Sequence, residues 1–157
     1  MDLTHIDSEG NPAMVDVGAK QVTARRAVAQ SIVLLPDEVL TLLSGDELQS
    51  KKGPVFQTAI IAGIMAAKKT GELIPLCHPL GLDNCSVTIS FNPEREVVVQ
   101  CTAALTARTG VEMEALVGAS IAALTIYDMC KALSHNIVIK ETRLVEKTGG
   151  KHDFKRA

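Results

Sequence analysis

Three stretches of the chain gather residue types that can move protons or hold anions. In Lys51-Lys52-Gly53-Pro54 two ammonium groups precede a helix start, because proline at the first helical position loses no hydrogen bond. Free N–H groups and the helix dipole favour an anion there, and phosphate is the natural guest; a solvated turn is the bland alternative. Asp128 and Lys131 lie three residues apart on one helical face, where the ordinary reading is a surface ion pair. Two details favour chemistry instead: the pair follows a dozen nearly uncharged residues, and a carboxylate near a helix C-terminus opposes the dipole. Glu112 and Glu114 open the same helix, with ready structural roles in a capping box and in the first turn. From Glu114 to Asp128 is about 21 Å along a helix axis, too far for one compact site within a single chain. If both ends act together, two subunits must supply them.

Cys77-His78, followed by Cys85, raises zinc, which takes Cys and His ligands, but a site needs three or four and no second pair has zinc spacing. The alternative is a histidine that hydrogen-bonds or transfers a proton from a loop. Arg25-Arg26, Lys147, Lys151, Lys155 and Arg156 can hold phosphate, although terminal charge is usually only solvated.

These residues need a scaffold, and 157 residues, 46% hydrophobic, suffice for one domain with its own core. We expect a single domain over 1–157, with about 1–20 and 148–157 flexible or closing over the site. A net charge of −2 and only three Phe and one Tyr argue against nucleic acid as a partner. The acidic start Met1-Asp2-Leu3-Thr4-His5-Ile6-Asp7 reads as no targeting signal, and the apolar runs 59–67 and 115–127 fall short of a bilayer span. A cytoplasmic protein without a membrane partner is expected, its four unpaired cysteines acting as small hydrophobes.

The pattern predicts a strand over Val22–Leu35, a short helix over Pro36–Leu43 and a helix over about 54–70 stopped at Gly71. Pro75 and Pro79 place Cys77-His78 on a loop. Ser86–Phe91 and Val97–Thr106 form the best hairpin. A capping box at Thr109-Gly110-Val111-Glu112 starts a helix running to about Leu133, and Ile137–Val145 is the last strand. This order predicts an α+β sandwich of ferredoxin-like type, a largely antiparallel sheet with helices on one face. The long helix is apolar nearly all round, so its other side is expected to meet a second subunit.

The chain carries, in order, Leu3-Thr4-His5, Met14-Val15-Asp16-Val17, Ala62-Gly63-Ile64-Met65-Ala66-Ala67-Lys68 and Leu73-Ile74-Pro75-Leu76-Cys77-His78-Pro79-Leu80. Thr109-Gly110-Val111-Glu112-Met113-Glu114-Ala115-Leu116, Leu124-Thr125-Ile126-Tyr127-Asp128-Met129-Cys130-Lys131-Ala132, Lys147 and Gly149-Gly150-Lys151 follow. Over nearly its whole length it closely resembles the cyclic pyranopterin monophosphate synthases, the MoaC-type proteins of molybdenum cofactor biosynthesis. The resemblance implies a ferredoxin-like fold, a hexamer built as a trimer of dimers, and a site at the dimer interface. It implies conversion of 3′,8-cyclo-7,8-dihydroguanosine 5′-triphosphate, supplied by a radical enzyme, to cyclic pyranopterin monophosphate with release of pyrophosphate.

Carried over by position, Lys52 and Lys131 are the catalytic candidates, with Asp128 positioning Lys131. Arg25, His78, Glu112 and Glu114 match substrate-binding positions, as do Cys77 and Met113 within the same motifs; Lys147 and Lys151 are anion contacts. No tightly bound cofactor and no protein-held metal is implied, while Mg²⁺ could assist with the triphosphate. Pro54 stands where the family usually has an acidic residue, Ser31 where it has glycine, and His152-Asp153 replace a small-residue turn. The competing readings are a small-ligand sensor, a zinc-dependent enzyme acting on GTP itself through Cys77, His78 and Cys85, and a structural assembly protein.

Overall fold

Alternation of small and β-branched residues makes β1 (Thr23–Leu34) the central strand of a computed structural model that describes residues 4–157. Leu3 of the first quoted motif, and the Met1-Asp2 start, lie outside the described residues. On one side β1 pairs antiparallel with β6 (Val97–Ala107), from Thr23 opposite Ala107 to Val33 opposite Val97. On its other side lies β7 (Val138–Thr148), with register shifts between Val28 and Ala29 and between Ile32 and Val33. β5 (Asn84–Phe91) flanks β6, and β8 (Phe154–Lys155) flanks β7, giving a five-stranded antiparallel sheet in the order β5-β6-β1-β7-β8.

Two helices, α2 (Val55–Ala67) and α4 (Glu112–Cys130), pack against each other and cover one face of this sheet. The expected α+β sandwich, with helices on one face of an antiparallel sheet, is therefore the observed fold. Ala27, Ala29, Ser31 and Val33 of β1 meet Val97, Val99, Cys101 and Ala103 of β6 and Ala115, Ala119, Ala122 and Ile126 of α4 in the core. Small residues set the spacing. A Cβ on Gly63 of α2 would lie 2.8 Å from the Gly118 carbonyl of α4, and one on Gly118 would lie 2.4 Å from Cys101 Sγ. Val28 and Ile32, on the opposite face of β1 by alternation, are buried as well, which blurs the strand pattern in the sequence. Ser31 is satisfied in the core by a 2.7 Å hydrogen bond between its hydroxyl and that of Thr142 on β7.

Several local expectations fail for identifiable reasons. The predicted helix over 54–70 is shorter, because Pro54 is still paired with Gln49 as part of β4 (Gly53–Pro54). Gly71 does not act as its stop: it lies inside a one-turn helix, α3 (Thr70–Leu73), and the Thr70 hydroxyl donates to the Ala67 carbonyl at 2.9 Å. The 36–43 helix shrinks to α1 (Asp37–Leu40), since the chain is recruited into β2 (Leu43–Ser44) and β3 (Glu47–Ser50) of a small three-stranded sheet with β4. The capping box does not form. Val111 is the residue before α4, no side chain caps it, and the Thr109 hydroxyl turns instead to the Gly110 carbonyl at 3.3 Å.

The helix α4 is long and apolar enough by length and composition to cross a membrane, but more than half of its apolar window is buried between the sheet and α2. Two of its sides are thus covered within the chain. Leu124 remains 52% exposed, as do Ile61 (59%) and Met65 (51%) on the adjoining α2.

Candidate active site

The turn between β3 and β4 carries Lys51 and Lys52. The Ser50 hydroxyl locks it, donating to the Gly53 carbonyl at 3.1 Å and accepting from the Lys52 N–H at 3.1 Å. Gly53 takes φ +111°, a backbone conformation that side-chain-bearing residues rarely adopt. Lys52 is thereby aimed at the end of α4, where its Nζ donates to Asp128 Oδ2 at 3.0 Å and to the Asp128 carbonyl at 3.3 Å. Lys131 Nζ meets the other carboxylate oxygen, Oδ1, at 3.1 Å. The Lys52 ammonium, and then that of Lys131, holds the Asp128 carboxyl below the usual carboxylate range. All three side chains are about half exposed, open to a substrate. Beside them, Leu42, Gln49, Ser50, Lys51, Met129 and Leu133 line a cavity of about 500 Å³.

The start of α2 is not the anion site that the lysine pair suggests. Glu47 already occupies it: its Oε1 accepts from the Phe56 N–H at 2.7 Å and its Oε2 from the Gln57 N–H at 3.0 Å. A carboxylate eight residues before the helix gives no capping signal in the sequence, since only the β3–β4 turn brings it back. Pro54 costs this helix start nothing, because Glu47 serves the two N–H groups that follow it.

A second cluster forms at the other end of α4. The loop after α3 presents Cys77 and His78, and the first turn of α4 presents Glu112, Met113 and Glu114, to one cavity of about 270 Å³. His5, Val15, Val17 and Lys20, from the segment before β1, complete its wall. His78 Nε2 lies 2.7 Å from the Val15 carbonyl, so this nitrogen carries the proton and donates, tying the segment down. Glu112, freed from capping, pairs with Lys147 of β7 at 3.3 Å. Glu114 is only 4% exposed, and its Oε2 has no hydrogen-bond partner. Burial, reinforced by the Glu112 carboxylate but opposed by Glu114's own N–H, pushes the Glu114 carboxyl up to about 7. Burial, and then the charge of Glu114, also raises the Cys77 thiol.

Arg25 stands beside this cluster, donating through Nε to the Ala107 carbonyl at 3.3 Å and through Nη2 to the Arg108 carbonyl at 3.2 Å. The Gly149-Gly150 turn lies against it: the Gly149 carbonyl accepts from the Thr23 hydroxyl at 2.6 Å, and a Cβ on Gly150 would approach Arg25 Nη1 to 3.1 Å. Asp153, the tail departure, accepts from the Gly149 N–H at 3.1 Å and so closes this turn; Lys151 is exposed at its tip. Arg25 and Lys147 share the helix-facing side of the sheet, because Lys147 pairs with Ala27 and side chains alternate.

The fold thus unites Lys52, Asp128 and Lys131 at one end of α4, and Cys77, His78, Glu112, Met113, Glu114 and Lys147 at the other. It does not unite the two ends. Cys85, the third zinc candidate, sits elsewhere, its Sγ 3.8 Å from that of Cys101, and no metal-holding group of three or more His, Cys, Asp or Glu occurs among the described residues. His5 and Lys20 enter the cavity without having been singled out. Their place before the first strand gives no periodic signal by which to select them.

A sequence model of the MoaC family matches residues 14–150. A Xanthomonas oryzae protein named cyclic pyranopterin monophosphate synthase is 55% identical over 152 residues, covering 97% of this chain and 92% of that protein. A molybdenum cofactor biosynthesis bifunctional protein of Synechocystis is 53% identical over 96% of this chain but only 45% of its own length. Molybdenum cofactor biosynthesis protein 1 of Dictyostelium discoideum is 47% identical over 96% of this chain and 26% of its own length. On this full-length likeness the chain belongs to the MoaC family, and it is an enzyme of molybdenum cofactor biosynthesis of the cyclic pyranopterin monophosphate synthase kind.

Proposed function

We propose that the chain converts 3′,8-cyclo-7,8-dihydroguanosine 5′-triphosphate to cyclic pyranopterin monophosphate and releases pyrophosphate, by lysine-assisted acid–base rearrangement between two subunits. The observation that carries this reading is the sharing of one exposed carboxylate, Asp128, by two lysines from distant parts of the chain. Rebuilding a purine nucleotide into a pterin requires protons to be moved to and from ring nitrogens and sugar carbons. Two ammonium groups held side by side can give and take them in turn, while Asp128 fixes where they stand. Closing the cyclic phosphate expels pyrophosphate, and Arg25, Lys147 and Lys151 offset the charge that builds on it. Mg²⁺ arrives, as part of the substrate, on the triphosphate oxygens, and no resident cofactor takes part.

The two clusters at opposite ends of α4, about 21 Å apart along its axis, support a site completed by a second copy. The exposed apolar side chains of Ile61, Met65 and Leu124 suit a face covered by that copy, and a hexamer of three such dimers is the assembly we expect. The bifunctional relative, in which the matching segment is less than half of the chain, supports a working partnership with the radical enzyme that makes the substrate. The reaction takes place in the cytoplasm, in one domain spanning 1–157.

Pyrophosphate release from the cyclised nucleotide, with mass detection of cyclic pyranopterin monophosphate and GTP as control, tests the reading. Product from the cyclised nucleotide and none from GTP is expected. Binding without turnover would make the protein a nucleotide sensor and overturn the proposal.

A further inference from the structure

We propose that Glu114 works as an uncharged hydrogen-bond donor to the heteroaromatic ring of the substrate, paired with Glu112 as a charged acceptor for the ring's N–H groups. The inference rests on the synthase reading and adds the protonation state and task of two carboxyls that the reading leaves as contacts.

The two glutamates line one cavity but live in opposite surroundings. Glu112 faces an ammonium group, Lys147 Nζ at 3.3 Å, and is about a third exposed, so its charge is supported. Glu114 is 4% exposed, and no cation lies within ion-pair distance among the described residues. A buried carboxylate without a partner is costly, and the group takes up a proton instead. Burial holds it protonated up to about pH 7, with the Glu112 charge acting in the same direction. Its Oε2 then has an unused hydrogen-bonding position in the cavity wall.

A site with one fixed donor and one fixed acceptor reads a ring edge that carries the reverse pattern. The guanine-derived ring presents such an edge, with a carbonyl acceptor beside a ring N–H and an amino group. Leaving the Glu114 donor unpaired would penalise rings that lack the carbonyl. The titratable groups facing Glu114 across the cavity are Cys77 and His78 from the loop after α3 and His5 and Lys20 from the segment before β1. Glu112 faces it from its own helix, and Lys147 acts on it through Glu112.

The test is the pH profile of kcat/KM for the wild type, Glu114→Gln and Glu114→Ala, together with a carbon-13 NMR titration of the glutamate carboxyls in the wild type. Glutamine stays a neutral donor at every pH. We expect Glu114→Gln to lose about tenfold at pH 6 and Glu114→Ala about a hundredfold, the difference being the retained donor. The wild type should fall as pH rises through about 7, and Glu114→Gln should not show that fall. One glutamate carboxyl should titrate near 7. A fall of the same size in Glu114→Gln, or glutamates that all titrate in the ordinary range, overturns the proposal. If Glu114→Gln does not fold, the wild-type carboxyl titration decides by itself. A wild type that titrates as expected but releases no pyrophosphate at any pH defeats the synthase reading and the ring-binding task with it, while leaving the neutral carboxyl established.

Discussion

Asp128 accepts a hydrogen bond from Lys52 Nζ at 3.0 Å across 76 residues of chain. Its second carboxylate oxygen receives Lys131 from the end of its own helix at 3.1 Å. One carboxylate thus sets the separation of two ammonium groups, one on a turn of the small sheet and the other at the end of α4.

Removing either lysine should stop the reaction without disturbing the fold. Lys52→Ala and Lys131→Ala are each expected to lower product formation by at least about a hundredfold, because general acid–base groups contribute on that scale. Both side chains are about half exposed, so melting temperature and sedimentation should stay near wild type. Near-normal turnover in either variant would remove its assigned role.

Asp128 acts through the lysines, so its loss should be milder than theirs. Asp128→Asn keeps the shape but lets both ammonium groups drift, and we expect a loss of about tenfold to a hundredfold in kcat with KM changed less. A variant with wild-type kcat would show that the carboxylate is only a surface partner.

The buried carboxyl makes stability depend on pH. Glu114 titrates near 7 when folded and near 4.5 when unfolded, so between these values the unfolded chain releases a proton that the folded chain keeps. The stabilisation relative to Glu114→Gln is full below about pH 4.5 and lost as pH rises through about 7, a decline of about 3 kcal/mol. Urea unfolding of both proteins at pH 5 and pH 8 measures it. A pH-independent difference would mean that Glu114 is charged throughout.

Helix packing depends on two missing side chains. Gly118→Ala would place a Cβ 2.4 Å from Cys101 Sγ and is expected to cost about 1–3 kcal/mol. Cys101→Ala should recover part of that loss in the double variant, which chemical denaturation can read. A fully additive pair would locate the strain elsewhere, at the Gly63 carbonyl 3.2 Å away.

Glu47 caps α2 from outside the helix. Glu47→Ala leaves the Phe56 and Gln57 N–H groups unserved and should cost about 1–2 kcal/mol of stability. Because β3 and β4 hold the Lys52 turn, activity should fall with it.

The sheet and its two long helices were legible because β6 alternates cleanly and α4 is an unbroken apolar run, patterns that reflect burial directly. The small sheet was not, because Leu43–Ser44 and Gly53–Pro54 are too short for any period and pair only after the chain folds back. That same fold-back hid Glu47. It also made Lys51-Lys52-Gly53-Pro54 look like an anion site, when the helix N–H groups already had a carboxylate. The capping box at Thr109–Glu112 misled for a different reason: the local motif was present, but Lys147, joined to this region only through β7, draws Glu112 away. The pairing of Asp128 with Lys131 was visible as a three-residue spacing, whereas Lys52 joins them only in three dimensions.

The measurement that tests the account most directly mixes two inactive variants, Glu112→Ala and Lys131→Ala, after dissociation and reassembly, and follows pyrophosphate release from the cyclised nucleotide. A site built from opposite ends of α4 in two subunits regains one intact copy in each mixed dimer, so activity should return to about a quarter of wild type. Failure to recover any activity, with mixed oligomers demonstrably formed and the wild type active, would contradict a site shared between subunits.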